Sequence, residues 1–231
     1  RKRVNLELFI ARRIAHNGSG NRPGVMVRIA VVAVALSVTV MILALAVIMG
    51  FKREITDRVT GFSAQVEVAD LRSAGSIESV PVLRSEQLER TIRSAGEVVR
   101  LTPYAVKGGV VKMPDAILGV MLKGVDGGYE WSFFRDHLLE GELPRVGDSI
   151  RTKEILISRS VAQEMGLAPG DKVEMLFVES EKSPRRDRFK VSGIYATGMD
   201  EFDRSVAMTD LRNVQRLADW SSDEVSGYEV T

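Results

Sequence analysis

The longest uninterrupted apolar run of the sequence extends from Ile29 to Phe51, and it constrains the fold more than any other feature. The run contains no charged side chain, and it departs from apolar residues only at Ser37, Thr39 and Gly50. As a helix it spans about 34 Å, slightly more than the roughly 30 Å of bilayer hydrocarbon. Its hydroxyl groups can donate to carbonyls of the preceding turn, so they need not stay unpaired in lipid. The run therefore predicts a membrane-spanning helix.

Two other interpretations of this run are less favoured. A buried helix of a soluble protein rarely extends beyond about twelve residues without a polar face. A cleaved signal peptide has an apolar region of about 7 to 15 residues followed by a small-x-small cleavage site. Here the run is longer and continues into Phe51-Lys52-Arg53-Glu54. Length and continuation both favour an uncleaved span.

Charge is distributed unequally on the two sides of the run. Seven cations and one acid, Glu7, precede it, whereas four cations are mixed with four acids in the 21 residues that follow it. The positive-inside rule then predicts a cytoplasmic N-terminus and places the residues after about 52 in an extracytoplasmic compartment. The formal net charge of +1 gives no overall attraction to nucleic acid, and the absence of cysteine excludes disulfides, thiolate metal sites and cysteine nucleophiles.

Three segments follow from these patterns. In residues 1–24, helical spacing of Leu6, Ile10 and Ile14 predicts a short amphipathic helix followed by the loop His16–Gly24. That helix either lies on the cytoplasmic membrane surface, with its arginines facing lipid headgroups, or packs against another subunit. Residues 25–60 hold the span and a helical extension that we expect Gly61 to stop. Residues 61–231 form an extracytoplasmic domain, and its division into two lobes near residue 145 is left open.

The extracytoplasmic domain is predicted to be α+β, because alternating apolar stretches and capped helical stretches follow one another along it. Met113-Pro114-Asp115 is predicted to be a hairpin turn, and Ser85 and Ser158 are predicted helix caps. The predicted strands are Gln65–Ala69, Val98–Val111, Ala116–Val125, Ile155–Ile157, Lys172–Val178, Arg188–Ala196, Ser205–Met208 and Val225–Val230. The predicted helices are 86–94, Trp131–Leu139, Arg159–Met165 and Asp210–Leu217.

Motifs for catalysis or cofactor binding are not found in the sequence. Gly119 and Gly124 have the spacing of a phosphate loop, but Val125 and Asp126 follow where lysine and a hydroxyl residue must stand. The two histidines lie on opposite sides of the predicted span, so they cannot form a zinc site or a serine–histidine–aspartate relay together. We therefore expect no catalytic residue, no metal site and no cofactor in this chain.

The densest charge cluster lies in Glu179–Asp187, the predicted tip of a hairpin. One interpretation is a solvated loop, and the other is a docking finger whose arginines pair with acidic groups on a partner protein. Nucleic acid is not an expected partner, because the cluster lacks interleaved aromatic residues. The residues of the predicted docking finger are Lys182, Ser183, Pro184, Arg185 and Arg186.

Several segments resemble one family of membrane proteins, the lipoprotein-releasing ABC transporter permeases (LolC/LolE type) within the FtsX-like and MacB-like permeases. The sequence MGFKREI at 49–55 resembles the end of the first membrane span of that family, and the N-terminal LFIARRI at 8–14 points to the same branch. The piece LAPGD at 167–171 is shared across the broader superfamily. Further similar segments are 59–62, 65–66, 118–126, 155–177, 189–198, 210–217 and 227–230.

This resemblance implies a MacB-like periplasmic core domain on the first of four spans, so that the chain is a fragment of a longer permease in the bacterial inner membrane. It implies a second permease subunit, either a second copy or a paralogue. It also implies a separate cytoplasmic ABC ATPase dimer that binds ATP and magnesium. Lipoprotein would be extracted from the membrane and passed to a periplasmic carrier, without breaking a bond. The alternatives are a MacB-like export or FtsX-like mechanotransmission permease, and a single-pass anchored periplasmic binding protein.

The resemblance also gives two groups of residues a role. The outer-leaflet half of the span would form an apolar wall for lipid chains, and methionine suits chains of varied shape. Each of these residues could equally pack against neighbouring helices. The predicted hairpin tip lies where one permease type carries a hook that recruits the carrier, although it looks shorter than that hook. The expected lipid- or lipoprotein-contacting residues are Met41, Leu45, Ile48, Met49 and Phe51, with Lys52 and Arg53 at headgroup depth.

Overall fold

The computed structural model describes residues 6, 9–10, 13, 23–62, 64, 66–73, 79–96, 98–113, 116–147, 150–179 and 182–231. The chain divides into two compact units, Arg1–Asp57 and Arg58–Thr231. Most of the predicted amphipathic helix and loop of residues 1–22 lies outside the described residues. Leu6, Phe9, Ile10 and Arg13 are described, and their backbone is helical.

Helix α1 (Pro23–Phe62) is 40 residues long and contains the predicted span. The part from Gly24 to Lys52 is long and apolar enough to cross a membrane, and none of its most apolar window is buried. Thr39 Oγ1 donates to the carbonyl of Ala35 at 2.7 Å, which confirms the expected pairing of that hydroxyl within the helix.

The two ends of α1 differ from the prediction by a few residues. Pro23 and Gly24, which were predicted to lie in the preceding loop, are helical, because the fixed φ of proline suits the first turn of a helix. The helical extension beyond the span is confirmed, but it continues to Phe62, so that Gly61 lies in the last turn instead of stopping the helix.

The described part of the second unit alternates strands and short helices. Its strands are β1 (Val66–Ala69), β2 (Val82–Leu83), β3 (Leu101–Lys112), β4 (Ile117–Val125), β5 (Leu138–Gly141), β6 (Glu154–Ser158), β7 (Lys172–Glu179), β8 (Lys182–Tyr195), β9 (Val206–Asp210), β10 (Glu224–Val225) and β11 (Gly227–Val230). Its helices are α2 (Glu86–Ser94), α3 (Ser132–Asp136), α4 (Arg159–Met165), α5 (Asp200–Asp203) and α6 (Leu211–Ala218), and a short 3-10 turn spans Leu71–Ser73.

Nine of the described strands form one mixed sheet with the order β1-β11-β3-β4-β9-β6-β8-β5, in which β7 pairs with both β3 and β8. Because of this double pairing, β3, β4, β9, β6, β8 and β7 form a closed ring of hydrogen-bonded strands. The β4–β9 and β6–β8 pairs are parallel and the other pairs are antiparallel. Strands from both sides of residue 145 thus contribute to the same sheet.

Helix α6 packs against β3 and β4, where it covers part of the main apolar core. A close approach at Gly124 makes this packing feasible. A Cβ atom at that position would lie 2.8 Å from Val214 Cγ2 and 2.9 Å from Leu211 Cα, so any larger residue would push the helix away. Trp220 packs at the edge of the same core, and Trp131 belongs to a second aromatic cluster around Phe134.

Several local predictions are confirmed. The Ser85 hydroxyl accepts from the Leu88 N–H at 3.1 Å and caps α2, and the Ser158 hydroxyl accepts from the Val161 N–H at 3.1 Å and caps α4. Helix α4 ends at Gly166, whose φ of 62° places it in the left-handed region. Strands β3 and β4 form the predicted antiparallel hairpin.

Predictions for two elements of this unit were wrong in extent. The helix predicted for Trp131–Leu139 ends at Asp136, because Leu138–Gly141 pairs with β8 as a strand. The strand predicted for Val225–Val230 is interrupted at Ser226, and its two parts pair with β2 and with β1 and β3. The short β2 and α5 were not predicted.

A buried ion pair lies where β1, β11, β3 and β4 adjoin. Lys123 Nζ is 2.5 Å from Glu229 Oε1, and about a tenth of each side chain is exposed. The same ammonium group lies 5.8 Å and 5.7 Å from the ring centroids of Tyr104 and Tyr129, within range of a cation–π interaction. Glu67 of β1 pairs directly with Glu229 in the sheet register, so two carboxylates share one face.

The position of Glu67 predicts a measurable pH dependence of stability. Burial, and then the charge of Glu229, raise the pKa of Glu67 against the lowering effect of Lys123. The folded state thus binds more protons than the unfolded state. Stability is therefore lost as the pH rises from the ordinary pKa of glutamate through the raised one. We expect Glu67→Gln to increase the free energy of unfolding at neutral pH by roughly 0.2–1 kcal/mol and to flatten this pH dependence.

The measurement is urea denaturation of the full chain in detergent micelles at several pH values between 4 and 8. Glu86→Gln is a matched control, because Glu86 is exposed and pairs with Arg90 within α2. A Glu67→Gln variant that is less stable than the unaltered chain at pH 8 would contradict the prediction.

Candidate functional site

The predicted lipid-contacting residues lie on α1 and do not all share one face. At about 100° per residue, Met41, Leu45, Ile48 and Lys52 fall within a stripe roughly 60° wide. Met49 and Phe51 lie outside that stripe, about 40° and 60° beyond its opposite edges. The side chains of six predicted residues are described, and all six are exposed: Met41, Leu45, Ile48, Met49, Phe51 and Lys52. The side chain of Arg53 lies outside the described part of the chain.

This arrangement can present a continuous apolar surface that ends at a cation. Met41, Leu45 and Ile48 together cover two turns, and Lys52 follows one turn later on the same stripe. A lysine at that position can extend its ammonium group to the headgroup layer while its methylene stem stays in hydrocarbon. The stripe thus suits a lipid with apolar chains and an anionic headgroup.

The predicted docking finger lies on the β7–β8 hairpin, but it is not a loop. Glu179 pairs with Lys182, so only two residues connect the strands, and Lys182–Asp187 belong to β8. The prediction of a nine-residue tip was wrong, because both faces of β8 carry charged side chains here and no apolar alternation marks the strand. The side chains of Lys182 and Ser183 lie outside the described part of the chain.

The two predicted arginines point to opposite faces of the hairpin. Arg185 Nη2 lies 2.5 Å from Asp219 Oδ2, and its Nη1 donates to the carbonyl of Arg216 at 3.2 Å. Arg185 therefore binds the C-terminal end of α6, where a cation is favoured by the helix dipole. Arg186 lies on the outer face and is 74% exposed, with Glu174 at 3.6 Å.

The outer face of the hairpin carries a row of cations that we call the outer cationic row. It consists of Lys172, Arg186, Arg188 and Lys190, all of which are exposed. The sheet register brings Lys172 opposite Lys190 and Glu174 opposite Arg188, so one acid accompanies four cations. Sequence reasoning identified only Arg186. Alternation of charge at positions 186, 188 and 190 is the signal that could have revealed the others.

A buried carboxylate anchors the base of the hairpin to its surroundings. Asp187 Oδ1 lies 2.5 Å from Lys153 Nζ, and Asp187 Oδ2 also pairs with Arg216 of α6. Burial alone would raise the pKa of Asp187, but hydrogen bonds from Lys153 and the Arg188 N–H, with the charge of Arg216, hold that pKa below its ordinary value. These contacts fix the inner face of the hairpin and leave the outer cationic row accessible.

Chemistry other than binding is not evident in these features. In the part of the chain that the structure describes, no group of three or more histidine, aspartate or glutamate side chains could hold a metal ion. His137 stacks on Phe133 with ring centroids 4.4 Å apart, and its Nδ1 is 2.8 Å from the Phe133 carbonyl, which is a packing role. The exposed stripe of α1 and the outer cationic row are the candidate binding surfaces.

Comparison with known protein families gives one match that covers almost the whole chain. A sequence model of the MacB-like periplasmic core domain family matches residues 29–230. This range includes the apolar span and every strand of the nine-stranded sheet.

Three curated relatives carry the same name and are 25–27% identical to this chain. The lipoprotein-releasing system transmembrane protein LolC of Xylella fastidiosa strain Temecula1 is 27% identical over 182 residues, and that of strain 9a5c is 26% identical over 184 residues. The LolC protein of Neisseria meningitidis serogroup B is 25% identical over 181 residues. Each comparison covers 75% of this chain but only 41% of the relative, so the chain spans about two fifths of their length.

Solved structures with similarity to this chain include two extracytoplasmic domains of transporters. The extracellular domain of the noncanonic ABC-type transporter YknZ from Gram-positive bacteria is 15% identical, with a TM-score of 0.44 over 69% of this chain and 75% of that one. The periplasmic region of MacB from Actinobacillus actinomycetemcomitans is 14% identical, with a TM-score of 0.45 over 71% of each chain.

Proposed function

Since the chain belongs to the family of MacB-like periplasmic core domains, we propose that it is part of a permease subunit of an ABC transporter that releases lipoproteins from the bacterial inner membrane. The observation that carries this proposal is the similarity of three quarters of the chain to proteins named LolC in two bacterial genera. The apolar helix that precedes the α+β domain supports it, because lipoproteins are held in the membrane by apolar chains.

In this proposal α1 crosses the inner membrane with its N-terminus in the cytoplasm, and residues after about 52 are periplasmic. The stripe of Met41, Leu45 and Ile48 contacts the acyl chains of the lipoprotein, and Met49 and Phe51 widen that surface on either side. Lys52, with Arg53, meets the headgroup layer. The residues supply binding surface and orientation, and no bond in the substrate is broken.

The remaining parts of the machine are supplied by partners. A cytoplasmic ABC ATPase dimer, as the LolC-like resemblance implies, binds ATP and magnesium and drives the motion. A second permease subunit, a copy or a paralogue, completes the membrane cavity. A periplasmic carrier accepts the released lipoprotein, and we propose that the outer cationic row is the surface that captures this carrier.

The proposal is tested with the full-length permease and its ATPase in proteoliposomes that contain a labelled lipoprotein. We expect label to enter the soluble fraction only when ATP, the ATPase and the purified carrier are all present. Release without ATP, or no release with all components, would overturn the proposal.

Charge reversal in the outer cationic row gives a more specific prediction. We expect Arg186→Glu combined with Arg188→Glu to weaken capture of the carrier at least about tenfold, which corresponds to about 1.4 kcal/mol. The domain should stay folded, because both arginines are exposed and, among the described residues, both form their ion pairs with Glu174. Capture is measured by pull-down and by titration of the labelled carrier at two salt concentrations.

A matched control uses the cations of another surface. Arg90→Glu with Arg93→Glu on α2 changes the net charge by the same amount on an exposed helix outside the hairpin. Equal loss of capture in both double variants would show a general charge effect and would contradict the assignment to the hairpin. Arg185→Glu is unsuitable as a test, because it would place a carboxylate against Asp219 and disturb the end of α6.

The family match also fits a second function, a MacB-like exporter or an FtsX-like mechanotransmission permease. These permeases likewise couple an ATPase to a periplasmic partner. Genes for an adaptor and an outer-membrane channel beside this gene would favour export. A full-length gene without further apolar spans after Thr231 would instead favour a single-pass anchored binding protein.

A further inference from the structure

Strand β1 is held more weakly than the strands of the closed ring. Among the described strands β11 is the one that pairs with it, and four residue pairs form this β1–β11 seam. Three of the four residues of β1 are exposed, and Val68 alone is partly buried and packs against the main core. Segments with few buried apolar contacts open locally at a lower free energy than the core of a domain. Strand β1 can therefore detach from β11 while the ring stays intact.

The β1–β11 seam contains an unbalanced group of charges. The register places Glu67 directly opposite Glu229, and side chains in such positions have Cβ atoms about 4.5–5.5 Å apart. On the other side of Glu229, the Lys123 ammonium group lies 2.5 Å from its Oε1. Two carboxylates thus share the charge of one nearby lysine. Like charges directly opposite each other in a sheet destabilise the pairing of the strands.

The other ionisable groups around the seam keep their charge near neutral pH. Burial, and then the charge of Glu229, raise the pKa of Tyr129, so its hydroxyl stays protonated. Hydrogen bonds from Arg72 lower the pKa of Asp70 to about 2, so this carboxylate stays ionised. The described groups that surround the two glutamates are Lys123 of β4, Tyr104 of β3, Tyr129, and the ion pairs Asp70–Arg72 and Arg100–Glu130.

Glu67 takes up a proton more readily while β1 is attached. Burial and the charge of Glu229 raise the pKa of Glu67 in the attached state, against the lowering effect of Lys123. In the detached strand that pKa returns to the ordinary value of glutamate, about 4.3. The attached state therefore binds more protons. Attachment is most stable below the ordinary pKa and weakens as the pH rises through the raised one.

From these observations we propose that protonation of the Glu67–Glu229 pair controls the attachment of β1 to β11 and acts as a pH-sensitive latch. While the latch is closed, the chain that leaves α1 at Phe62 is fixed to the sheet from Val66 onward. When it opens, the four residues of β1 join the connection and add about 13 Å of extended chain. The connection between α1 and the sheet is thus shorter at acidic pH and longer at neutral pH.

The test measures amide hydrogen exchange of residues 66–69 by mass spectrometry, on the full chain in detergent micelles. The rate of the same segment in unfolding urea at the same pH is divided by the rate in the folded chain. This protection factor removes the intrinsic pH dependence of exchange. We expect it to fall about 1.5- to 5-fold from pH 5 to pH 8, the effect of one unfavourable cross-strand charge pair. In Glu67→Gln it should stay constant.

The controls separate the latch from other effects of pH. Glu86→Gln, on the exposed face of α2, should keep the pH dependence of the unaltered chain. Histidine ordinarily titrates in this range, and His137 remains in Glu67→Gln, so any contribution from it would persist in that variant. Protection of β6 should exceed that of β1 at least about tenfold at both pH values, because its amides exchange only when the ring opens.

Three outcomes would overturn the proposal. The first is a protection factor of β1 that does not change between pH 5 and pH 8. The second is the same pH dependence in Glu67→Gln as in the unaltered chain. The third is equal protection of β1 and β6, which would show that β1 opens only when the whole second unit unfolds. None of these measurements involves transport, so they can fail or succeed independently of the function proposed above.

Discussion

Replacing Lys123 with methionine is expected to lower the free energy of unfolding of the second unit by about 3–5 kcal/mol, the largest stability effect that the structure predicts. The change leaves Glu229 largely buried without the ammonium group that lies 2.5 Å away. It also brings Glu229 and Glu67 together without the cation that offsets their repulsion. Urea denaturation followed by tryptophan fluorescence measures the loss, since Trp131 and Trp220 report on the two cores.

Removing both charges should have a smaller effect than removing one. Lys123→Met combined with Glu229→Leu replaces the pair by apolar side chains of similar volume, and such replacements are often close to neutral. Lys112→Met, at an exposed lysine at the end of β3, should change stability by less than about 0.5 kcal/mol. A Lys123→Met variant as stable as Lys112→Met would show that the buried pair contributes nothing.

Introducing a charge at Ile48 is expected to abolish lipoprotein release while leaving the helix in the membrane. Ile48→Asp places a carboxylate within the exposed stripe, where acyl chains are proposed to bind. Aspartate costs about 2.5–3.5 kcal/mol on the insertion scale, and the twelve remaining leucine, isoleucine, phenylalanine and valine residues contribute about 4–7 kcal/mol in favour of insertion. The variant should therefore insert but fail to hold the substrate.

Val47→Asp is the matched control, because it lies at nearly the same depth but about 100° around the helix. Membrane fractionation gives the amount inserted, and the proteoliposome assay gives the release per inserted molecule. We expect Ile48→Asp to release less than about a tenth as much as Val47→Asp, a difference of about 1.4 kcal/mol or more. Equal release by the two variants would count against a substrate-contacting stripe.

Local features of this fold could be predicted from sequence, because the signals lie within a few residues of one another. The caps at Ser85 and Ser158 and the hairpin of β3 and β4 are of this kind. The closure of the ring is different, since it depends on β7 pairing with β3 across some sixty residues. The strand β5 was misread as helix because its pairing with β8 is equally non-local.

The candidate binding surfaces show the same limit. Length and composition were sufficient to identify α1, but sequence alone gave no reason to separate Arg185 from Arg186. The partner of Arg185 is Asp219, 34 residues away along the chain, and only the fold brings them together.

The sheet order has a mechanical consequence for a domain attached to a membrane helix. In the closed ring, β3 and β7 pair with each other and are also connected through β4, β9, β6 and β8. Each of the six ring strands therefore has a hydrogen-bonded neighbour on both sides. Strand β1, by contrast, is the edge strand that follows α1 in the chain, and four residue pairs join it to β11. A pull transmitted along the chain from α1 would therefore load the short β1–β11 seam first, where Glu67 faces Glu229. That seam, and not the ring, would set the force at which the domain begins to yield.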